Sequence, residues 1–295
     1  MKIIGIIPCR YRSTRFPGKP LAMISGKPMV WHVWNQTKKA KRLHRIVVAT
    51  DDDRIYNVCQ EYGIEVIMTS SLHLTGTDRV AEVAKQIDGE VFVNIQGDEP
   101  LIDPHGIDQL ISMLITNRDI QIANAYSCVD DASDIVNSNI VKVITSNMGN
   151  ALAYSRSPIP HPKNSKPIYK RQIGLYAFRR NAILKFSALP VGNLQSSEGV
   201  EMFRYLENGY TIKMIEIDET IDELNSFIKE CGDKTNALME KLNIPQISTG
   251  DILREHVKKQ TDLGKEAKNY MENGELVPDK LILQMMGQKL LAKDC

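Results

Sequence analysis

Short apolar runs rich in β-branched residues alternate with amphipathic stretches through the first third of the chain. The runs are continuous in apolar character, as in strands that are covered on both faces. The stretches between them repeat their apolar positions with a helical period. The pattern predicts strands at 2–7, 45–50, 65–68 and 90–95. It predicts helices at 29–40, 53–62 and 78–86.

Strand–helix–strand alternation of this kind predicts an α/β, Rossmann-like fold with a mostly parallel sheet between helical layers. Strand character increases over 121–178, which makes the predicted sheet mixed. Ligands of such folds bind where the strands end at their carboxyl side. The later elements predicted are strands at 140–145, 151–156, 172–178 and 211–217, with helices at 180–187 and 198–208.

Basic side chains are concentrated just after the first predicted strand. Residues 10–19 contain Arg10, Arg12, Arg15 and Lys19, with Gly18 beside two prolines. A run of charges is more often a solvated surface loop, but the position at the end of a strand favours the capture of an anion. Guanidinium groups and a lysine suit a triphosphate well. The glycine patterns of dinucleotide-binding folds and of P-loops are missing from this loop.

Composition and charge limit the possible partners. The formal net charge is +1, so no global field favours nucleic acid or an anionic membrane. The five cysteines are scattered and form no C-x-x-C motif, which argues against a zinc site and fits a reducing compartment. The first apolar run ends at Pro8, too early for a signal or membrane segment. We therefore expect a cytoplasmic protein that binds neither nucleic acid nor membrane.

A carboxylate follows the fourth predicted strand, in the sequence N-I-Q-G-D-E-P. Asp98 in this sequence comes directly after Gly97, at the predicted binding edge of the sheet. A carboxylate at that place can reach a Mg²⁺ ion that bridges phosphate oxygens. A lone acidic pair at a strand end is more often a turn or a helix cap, so the residues alone leave both interpretations open.

The loop and the carboxylate together resemble one family. The string I-P-C-R-Y-R-S-T-R-F-P-G-K-P-L at 7–21 and Q-G-D-E-P at 96–100 are similar to CMP-Kdo synthetases, where Kdo is 3-deoxy-manno-octulosonate. The resemblance implies the fold of nucleotide-sugar transferases. It implies that Arg10 and Lys19 hold the phosphates of CTP with help from Arg15. It also implies that Asp98 binds Mg²⁺ and that Gln96 faces the sugar.

Further segments extend the resemblance to about residue 217. The segment H-L-T-G-T-D-R at 73–79 is similar to the family's cytosine and ribose site. Other segments, at 154–156, 172–176 and 198–202, are similar to sugar-side motifs. For the nucleotide, the implied contacts are His73, Thr75, Gly76 and Thr77. For the sugar, they are Gln96, Arg156, Gln172, Tyr176, Glu198 and Glu201, although an exposed helix charge is the commoner role for each of the two glutamates.

The resemblance implies transfer of CMP from CTP to the anomeric hydroxyl of Kdo, with Arg10, Lys19 and Asp98 as the catalytic set. It also implies a homodimer and a role in lipopolysaccharide or capsule synthesis. Gln172 stands where many members have histidine, so another acidic sugar remains an alternative. The family's second metal aspartate lies in a G-V-D-T-P segment that 217–224 lacks. Asp218 or Asp222 could replace it, and a CTP-binding inactive descendant is the other alternative.

From about residue 229 the chain becomes charged and mostly helical, so we predict a boundary near 228. The tail, with I-S-T-G-D-I-L-R at 247–254, resembles part of an adenylate kinase. The resemblance implies that Thr249 and Arg254 correspond to AMP contacts. Gly232-Asp233-Lys234-Thr235 lacks the glycine spacing and preceding strand of a P-loop. We therefore expect a helical appendage for docking or oligomerisation rather than an independent kinase.

Overall fold

The structure is a computed structural model that describes residues 1–12, 17–164, 167–217, 256–272 and 277–278, with the single positions 281, 284 and 285. The chain divides into two compact units, Met1–Thr220 and Ile221–Cys295. The boundary predicted near 228 lies outside the described residues and stays a prediction.

The first unit is built on one large mixed sheet. Its strands, with the short hairpin of β2 and β3, are β1 (Ile3–Cys9), β2 (Met23–Ile24), β3 (Lys27–Pro28), β4 (Arg45–Thr50), β5 (Val66–Met68), β6 (Val91–Ile95), β7 (Ile122–Val129), β8 (Lys142–Thr145), β9 (Ala151–Ser155), β10 (Tyr169–Arg179) and β11 (Lys213–Glu216). Along the main path the order is β11-β7-β10-β6-β1-β4-β5, and β8 pairs with both β10 and β9. The predicted mixed, mostly parallel sheet is confirmed.

The parallel part of the sheet runs from β6 through β1 and β4 to β5. β10 enters antiparallel between β6 and β7, while β11 pairs parallel with β7 at the edge. Because β5, β4, β1 and β6 are parallel, their carboxyl ends lie along the same edge of the sheet.

Helices cover the sheet, and the helices predicted at 29–40, 53–62, 78–86 and 180–187 are found with ends moved by a few residues, whereas the one predicted at 198–208 is not found as a single helix. They are α1 (Met29–Thr37), α2 (Asp53–Glu61), α3 (Gly76–Gln86), α4 (Pro104–Thr116), α5 (Ala132–Val136), α6 (Arg180–Phe186), α7 (Asn193–Glu198) and α8 (Phe203–Glu207). The sequence analysis did not assign α4. Its start carries a recognisable signal, because Asp103 caps it and Pro104 takes the first helical position.

Side chains that alternate along β1 pack into two separate apolar clusters. Ile3 and Ile7 pack in a cluster with residues of α1, α2 and α4. Ile4 and Ile6 pack in another with residues of α3, α6 and α8. All four side chains are buried, at 2% exposure or less. Burial on both faces explains why the predicted strands read as continuous apolar runs rather than alternating ones.

One buried polar residue holds β10 against β7. The pairing of these strands shifts register between Gln172 and Tyr176. Asn124 lies opposite this irregularity and donates from Nδ2 to the carbonyls of Ile173 and Leu175 at 2.9 and 3.0 Å. Its Oδ1 accepts from the Tyr154 hydroxyl at 3.1 Å. Asn124 therefore links β7 to two carbonyls of β10 and to Tyr154 of β9.

The second unit is described only in part. The helix α9 (Asp262–Glu272) is amphipathic in sequence, and the side chains of Ala267, Leu281 and Met285 form a small buried cluster. These residues support the helical character predicted for the tail.

Replacing Asn124 by alanine is expected to destabilise the first unit by about 2–4 kcal/mol, since buried carbonyls and a tyrosine hydroxyl lose their partner. Chemical denaturation followed by circular dichroism measures this. Asn139→Ala, at an exposed asparagine, is the matched control and should change the free energy of unfolding by less than about 0.5 kcal/mol. Equal effects of the two substitutions would contradict this role for Asn124.

Candidate active site

A cleft with a volume of about 820 Å³ opens at the carboxyl ends of β1 and β6. The turn before α3 and the helix α7 supply the rest of its lining. Many of the side chains predicted from sequence to contact substrate lie together here. They are Arg10, Lys19, His73, Thr75, Gly76, Gln96, Asp98 and Glu201.

An ion pair joins the loop after β1 to the residues after β6. Lys19 Nζ lies 2.6 Å from Asp98 Oδ2. The two side chains are 36% and 49% exposed, so a ligand can reach both. Arg10 is exposed in the same lining. Two cations and one carboxylate are thus presented at the edge of the sheet where a nucleotide is expected.

The two ends of the basic loop are fastened to each other. The amide of Gly18 donates to the carbonyl of Tyr11 at 2.8 Å, and Gly18 has a positive φ of 72°. A Cβ at Gly18 would lie 3.1 Å from the Tyr11 ring. The Arg54 guanidinium stacks on this ring, 3.3 Å from its centroid. The glycine and the stacked tyrosine therefore fix where Lys19 enters the cleft.

Gly97 allows the end of β6 to approach the end of β1. A Cβ at this position would lie 2.7 Å from both Cys9 Sγ and the carbonyl oxygen of Pro8. Any larger residue would push Asp98 away from the β1 end. Burial raises the pKa of the Cys9 thiol well above its usual value. The thiol therefore stays protonated and serves as packing rather than as a nucleophile.

Glu99 differs from its neighbour Asp98 in environment. Its Oε1 lies against Gly174 of β10, where a Cβ would come within 3.1 Å of it. Burial and then the charge of Asp98 raise the pKa of Glu99, while Arg171 and Lys19 lower it, and the net pKa is about 7. Glu99 therefore changes its charge near neutral pH.

Side-chain oxygens accept the hydrogen bonds of the backbone amides at the N-terminus of α3. Thr75 and Asp78 form a capping box. The amides of Gly76 and Thr77 donate to the two carboxylate oxygens of Glu201, at 3.1 and 2.9 Å. The amides of residues 75–78 thus all donate to side chains, those of Thr75, Asp78 and Glu201.

The remaining predicted sugar and nucleotide contacts lie outside the cleft lining. The Thr77 hydroxyl accepts from the Asn94 amide at 3.1 Å and is buried. Gln172 donates to Asn124 Oδ1 and to the Tyr176 hydroxyl. Arg156 donates from its guanidinium to the carbonyls of Glu198 and Ser138 at 2.7 and 2.8 Å.

The prediction that Glu198 and Glu201 begin one helix over 198–208 is wrong. Glu198 is the last residue of α7, and Gly199 follows with a left-handed φ of 64°, which ends that helix. Glu201 lies in the turn before α8. Neither is a plain exposed charge, because Glu198 accepts from the Ser155 hydroxyl and the Arg156 amide at 2.9 and 2.7 Å.

Several predicted residues lie outside the described part of the chain. They are Arg15 in the basic loop, Asp218 and Asp222 as alternative metal ligands, and Thr249 and Arg254 in the tail.

The sequence analysis missed three polar or charged residues that line the cleft. Arg79 is almost fully buried and pairs with Asp51 at 3.2 Å. It belongs to the same H-L-T-G-T-D-R segment, so a cation one turn into α3 was a usable signal. Gln195 and Ser196 line the cleft from α7. Polar residues of a short helix carry no comparable signal.

Two negative findings apply to the described residues alone. They contain no group of three or more histidine, cysteine, aspartate or glutamate side chains placed to hold a metal ion. They also contain no helix with the length and apolarity needed to cross a membrane.

A parallel-strand edge that presents cations beside one carboxylate is typical of nucleotidyltransferases. The cytidylyltransferase family model matches residues 4–217. The chain therefore belongs to the cytidylyltransferase family. The adenylate kinase family model matches residues 230–295, as the resemblance of the tail suggested.

Two similar relatives within the family are both 3-deoxy-manno-octulosonate cytidylyltransferases. A 3-deoxy-manno-octulosonate cytidylyltransferase of Solibacter usitatus is 45% identical over 219 residues, 74% of this chain and 87% of the relative. Another, of Trichlorobacter lovleyi, is 44% identical over 243 residues, 76% of this chain and 96% of the relative. A structure of CMP:2-keto-3-deoxy-manno-octonic acid synthetase complexed with CTP superposes with a TM-score of 0.71 at 33% identity, covering 82% of this chain and 99% of that one. The resemblance inferred from the motifs is confirmed.

Glu99 is expected to make the stability of the metal-free protein fall as pH rises. Between its usual pKa of 4.5 and the raised value of about 7, the unfolded chain has lost this proton and the folded protein still holds it. Ionisation then favours unfolding. Glu99→Gln should therefore gain stability relative to the wild type by roughly 2–3 kcal/mol between pH 5 and pH 8, at about 1.4 kcal/mol per pKa unit.

Denaturant unfolding in EDTA at several pH values measures this difference. Glu61→Gln, at an exposed glutamate of α2, is the control, and its free energy of unfolding should depend on pH as that of the wild type does. The same pH dependence in Glu99→Gln and the wild type would show that the Glu99 carboxyl group ionises normally.

Proposed function

We propose that the protein transfers CMP from CTP to the anomeric hydroxyl of 3-deoxy-manno-octulosonate. The products are the CMP-sugar and pyrophosphate, for use in lipopolysaccharide or capsule synthesis. The observation that carries the proposal is the Lys19–Asp98 pair, 2.6 Å apart at the carboxyl ends of two adjacent parallel strands. Membership of the cytidylyltransferase family and the name shared by its relatives support the choice of nucleotide and sugar.

The chemistry is attack of the sugar hydroxyl on the α-phosphorus, with cleavage of the bond to the β-phosphate oxygen. Such reactions are accelerated mainly by positioning and by neutralisation of charge. Arg10 and Lys19 are the cations of the cleft that can bind the leaving pyrophosphate. Their charge would stabilise the negative charge that develops there. The hydroxyl proton passes to solvent during the attack, and the electron pair of the broken P–O bond leaves with pyrophosphate.

The residues fit a Mg²⁺ cofactor. Mg²⁺ commonly binds through one or two carboxylates together with substrate phosphates and water. Asp98 is a half-exposed carboxylate beside the expected phosphate position, so it would hold the ion together with CTP. When bound there, the ion would polarise phosphate oxygens and lower the pKa of a coordinated hydroxyl.

The sugar position is proposed for the part of the cleft next to Gln96. Gln96 lines the cleft and lies against Gly174, where a Cβ would meet its Cγ at 2.6 Å. Gln172, which replaces the family's usual histidine, is bonded to Asn124 and Tyr176 instead. Another acidic sugar therefore remains the alternative substrate. We further propose a homodimer, as the family resemblance implies, and a cytoplasmic location, as the scattered cysteines indicate.

Pyrophosphate release with CTP, Mg²⁺ and 3-deoxy-manno-octulosonate tests the proposal. Asp98→Ala should lower the rate by at least about 100-fold, the loss usual for one preorganised electrostatic group. Asp119→Ala, at an exposed aspartate far along the chain, is the control and should keep the wild-type rate. Unchanged release by Asp98→Ala would remove this carboxylate from the mechanism.

A panel of acidic sugars separates the alternatives. Release with a different sugar but not with 3-deoxy-manno-octulosonate would reassign the substrate. Binding of CTP by calorimetry without release for any sugar would indicate an inactive descendant.

A further inference from the structure

The N-terminal turn of α3 is held from a distant part of the chain. The Glu201 carboxylate accepts hydrogen bonds from the amides of Gly76 and Thr77, which lie 125 and 124 residues earlier in the sequence. The other two amides of the turn are bonded within it, from Thr75 to Asp78 Oδ2 at 3.2 Å and from Asp78 to Thr75 Oγ1 at 3.2 Å. All four amide donors at this helix end therefore have protein partners.

Arg204 makes a second connection beside the first. Its Nη1 lies 2.6 Å from Asp78 Oδ1, and the pair is nearly fully buried. Its Nε donates to Gln195 Oε1 at 3.0 Å, and Gln195 lines the cleft from α7. One cation thus binds both the start of α3 and the helix on the other side of the cleft.

The two connections stabilise the turn by different physical effects. A carboxylate at a helix N-terminus is favoured by the amide donors and by the helix dipole. A buried arginine–aspartate pair is costly to break, because removing one partner leaves an uncompensated charge. Together they determine how the turn of 73–78 lies relative to α7 and α8.

An unoccupied helix N-terminus in a nucleotide cleft would attract phosphate. Here the carboxylate of Glu201 takes that position and repels further anions. Among the described lining residues, the cations left for phosphate are Arg10 and Lys19 of the basic loop. Arg79, the remaining arginine of that lining, is only 3% exposed and is paired with Asp51, whereas the paired Lys19 is 36% exposed.

We propose that Glu201 and Arg204 are positioning residues that join the base side of the cleft to its sugar side. By closing the N-terminus of α3, Glu201 directs the nucleotide phosphates to Arg10 and Lys19. This inference rests on the proposed function for the identity of the ligands. It replaces the expected role of Glu201 as a direct sugar contact with one that acts through Gly76 and Thr77.

Glu201→Gln is the main variant, because it keeps the size of the side chain and removes the charge. Asp103→Asn is the matched control. Asp103 likewise accepts two amides at a helix N-terminus, those of His105 and Gly106 at 2.9 and 2.8 Å, but it does not line the cleft. Glu201→Asp serves as a second variant if the glutamine form folds poorly.

Three readouts are needed: hydrogen exchange of the 74–78 amides without ligand, the Kd of CTP by calorimetry, and the KM of both substrates. We expect Glu201→Gln to accelerate exchange of the turn at least tenfold. It should raise both the Kd of CTP and the KM of the sugar about fivefold or more. Asp103→Asn should affect thermal stability to a similar degree and leave these binding constants within twofold.

Two results would overturn the inference. A rise in the sugar KM alone, with unchanged exchange and CTP affinity, would make Glu201 a sugar contact. No change in any binding constant would reduce it to an ordinary helix cap. If the wild type binds CTP but releases no pyrophosphate, the proposed function fails, while the exchange and calorimetry still decide the role of Glu201.

Discussion

The parallel pairing of β1 with β6 is the constraint on which the candidate site depends. These strands are separated by more than eighty residues in sequence, yet Ile6 lies opposite Asn94 in the sheet. The pairing places the basic loop after β1 next to the Q-G-D segment after β6. Gly97 permits this close approach, since even a methyl group there would strike Cys9 and Pro8. The ion pair between Lys19 and Asp98 then follows from the topology.

The cleft balances its charges by giving each acidic group a different partner. Asp98 pairs with Lys19, and Asp78 pairs with the buried Arg204. Glu201 is bound by amides, and Glu99 retains its proton up to about pH 7, the value to which burial raises its pKa. Four carboxyl groups around a site for a triphosphate would otherwise repel the substrate. The arrangement leaves the basic loop as the part of the cleft that attracts an anion.

Local patterns in the sequence were sufficient to predict the parallel half of the fold. The apolar runs at β1, β4, β5 and β6 were visible because both faces of these strands are buried. The motifs at 7–21 and 96–100 are also local, and they pointed to Arg10, Lys19 and Asp98, which line one cleft. α4 was missed although Asp103 and Pro104 mark its start.

The sugar side was harder to predict, since its geometry depends on contacts between distant segments. A helical period over 198–208 concealed the break at Gly199, which only its left-handed φ reveals. The pairing of Glu201 with the turn at 76–77 spans more than a hundred residues and leaves no periodic trace. The same is true of Arg204 and Asp78. Side chains that act through another segment cannot be distinguished from surface charges in a single sequence.

The position of β10 in the sheet has a consequence for synthesis of the protein on the ribosome. β10 lies between β6 and β7, and it ends at Arg179, far later in the chain than β6. Until it has emerged, the growing chain holds a four-stranded parallel sheet whose β6 edge has no neighbour. An unpaired edge of this kind can template pairing with another nascent chain. The β6 edge is therefore without its neighbour from the completion of β6 until β10 emerges.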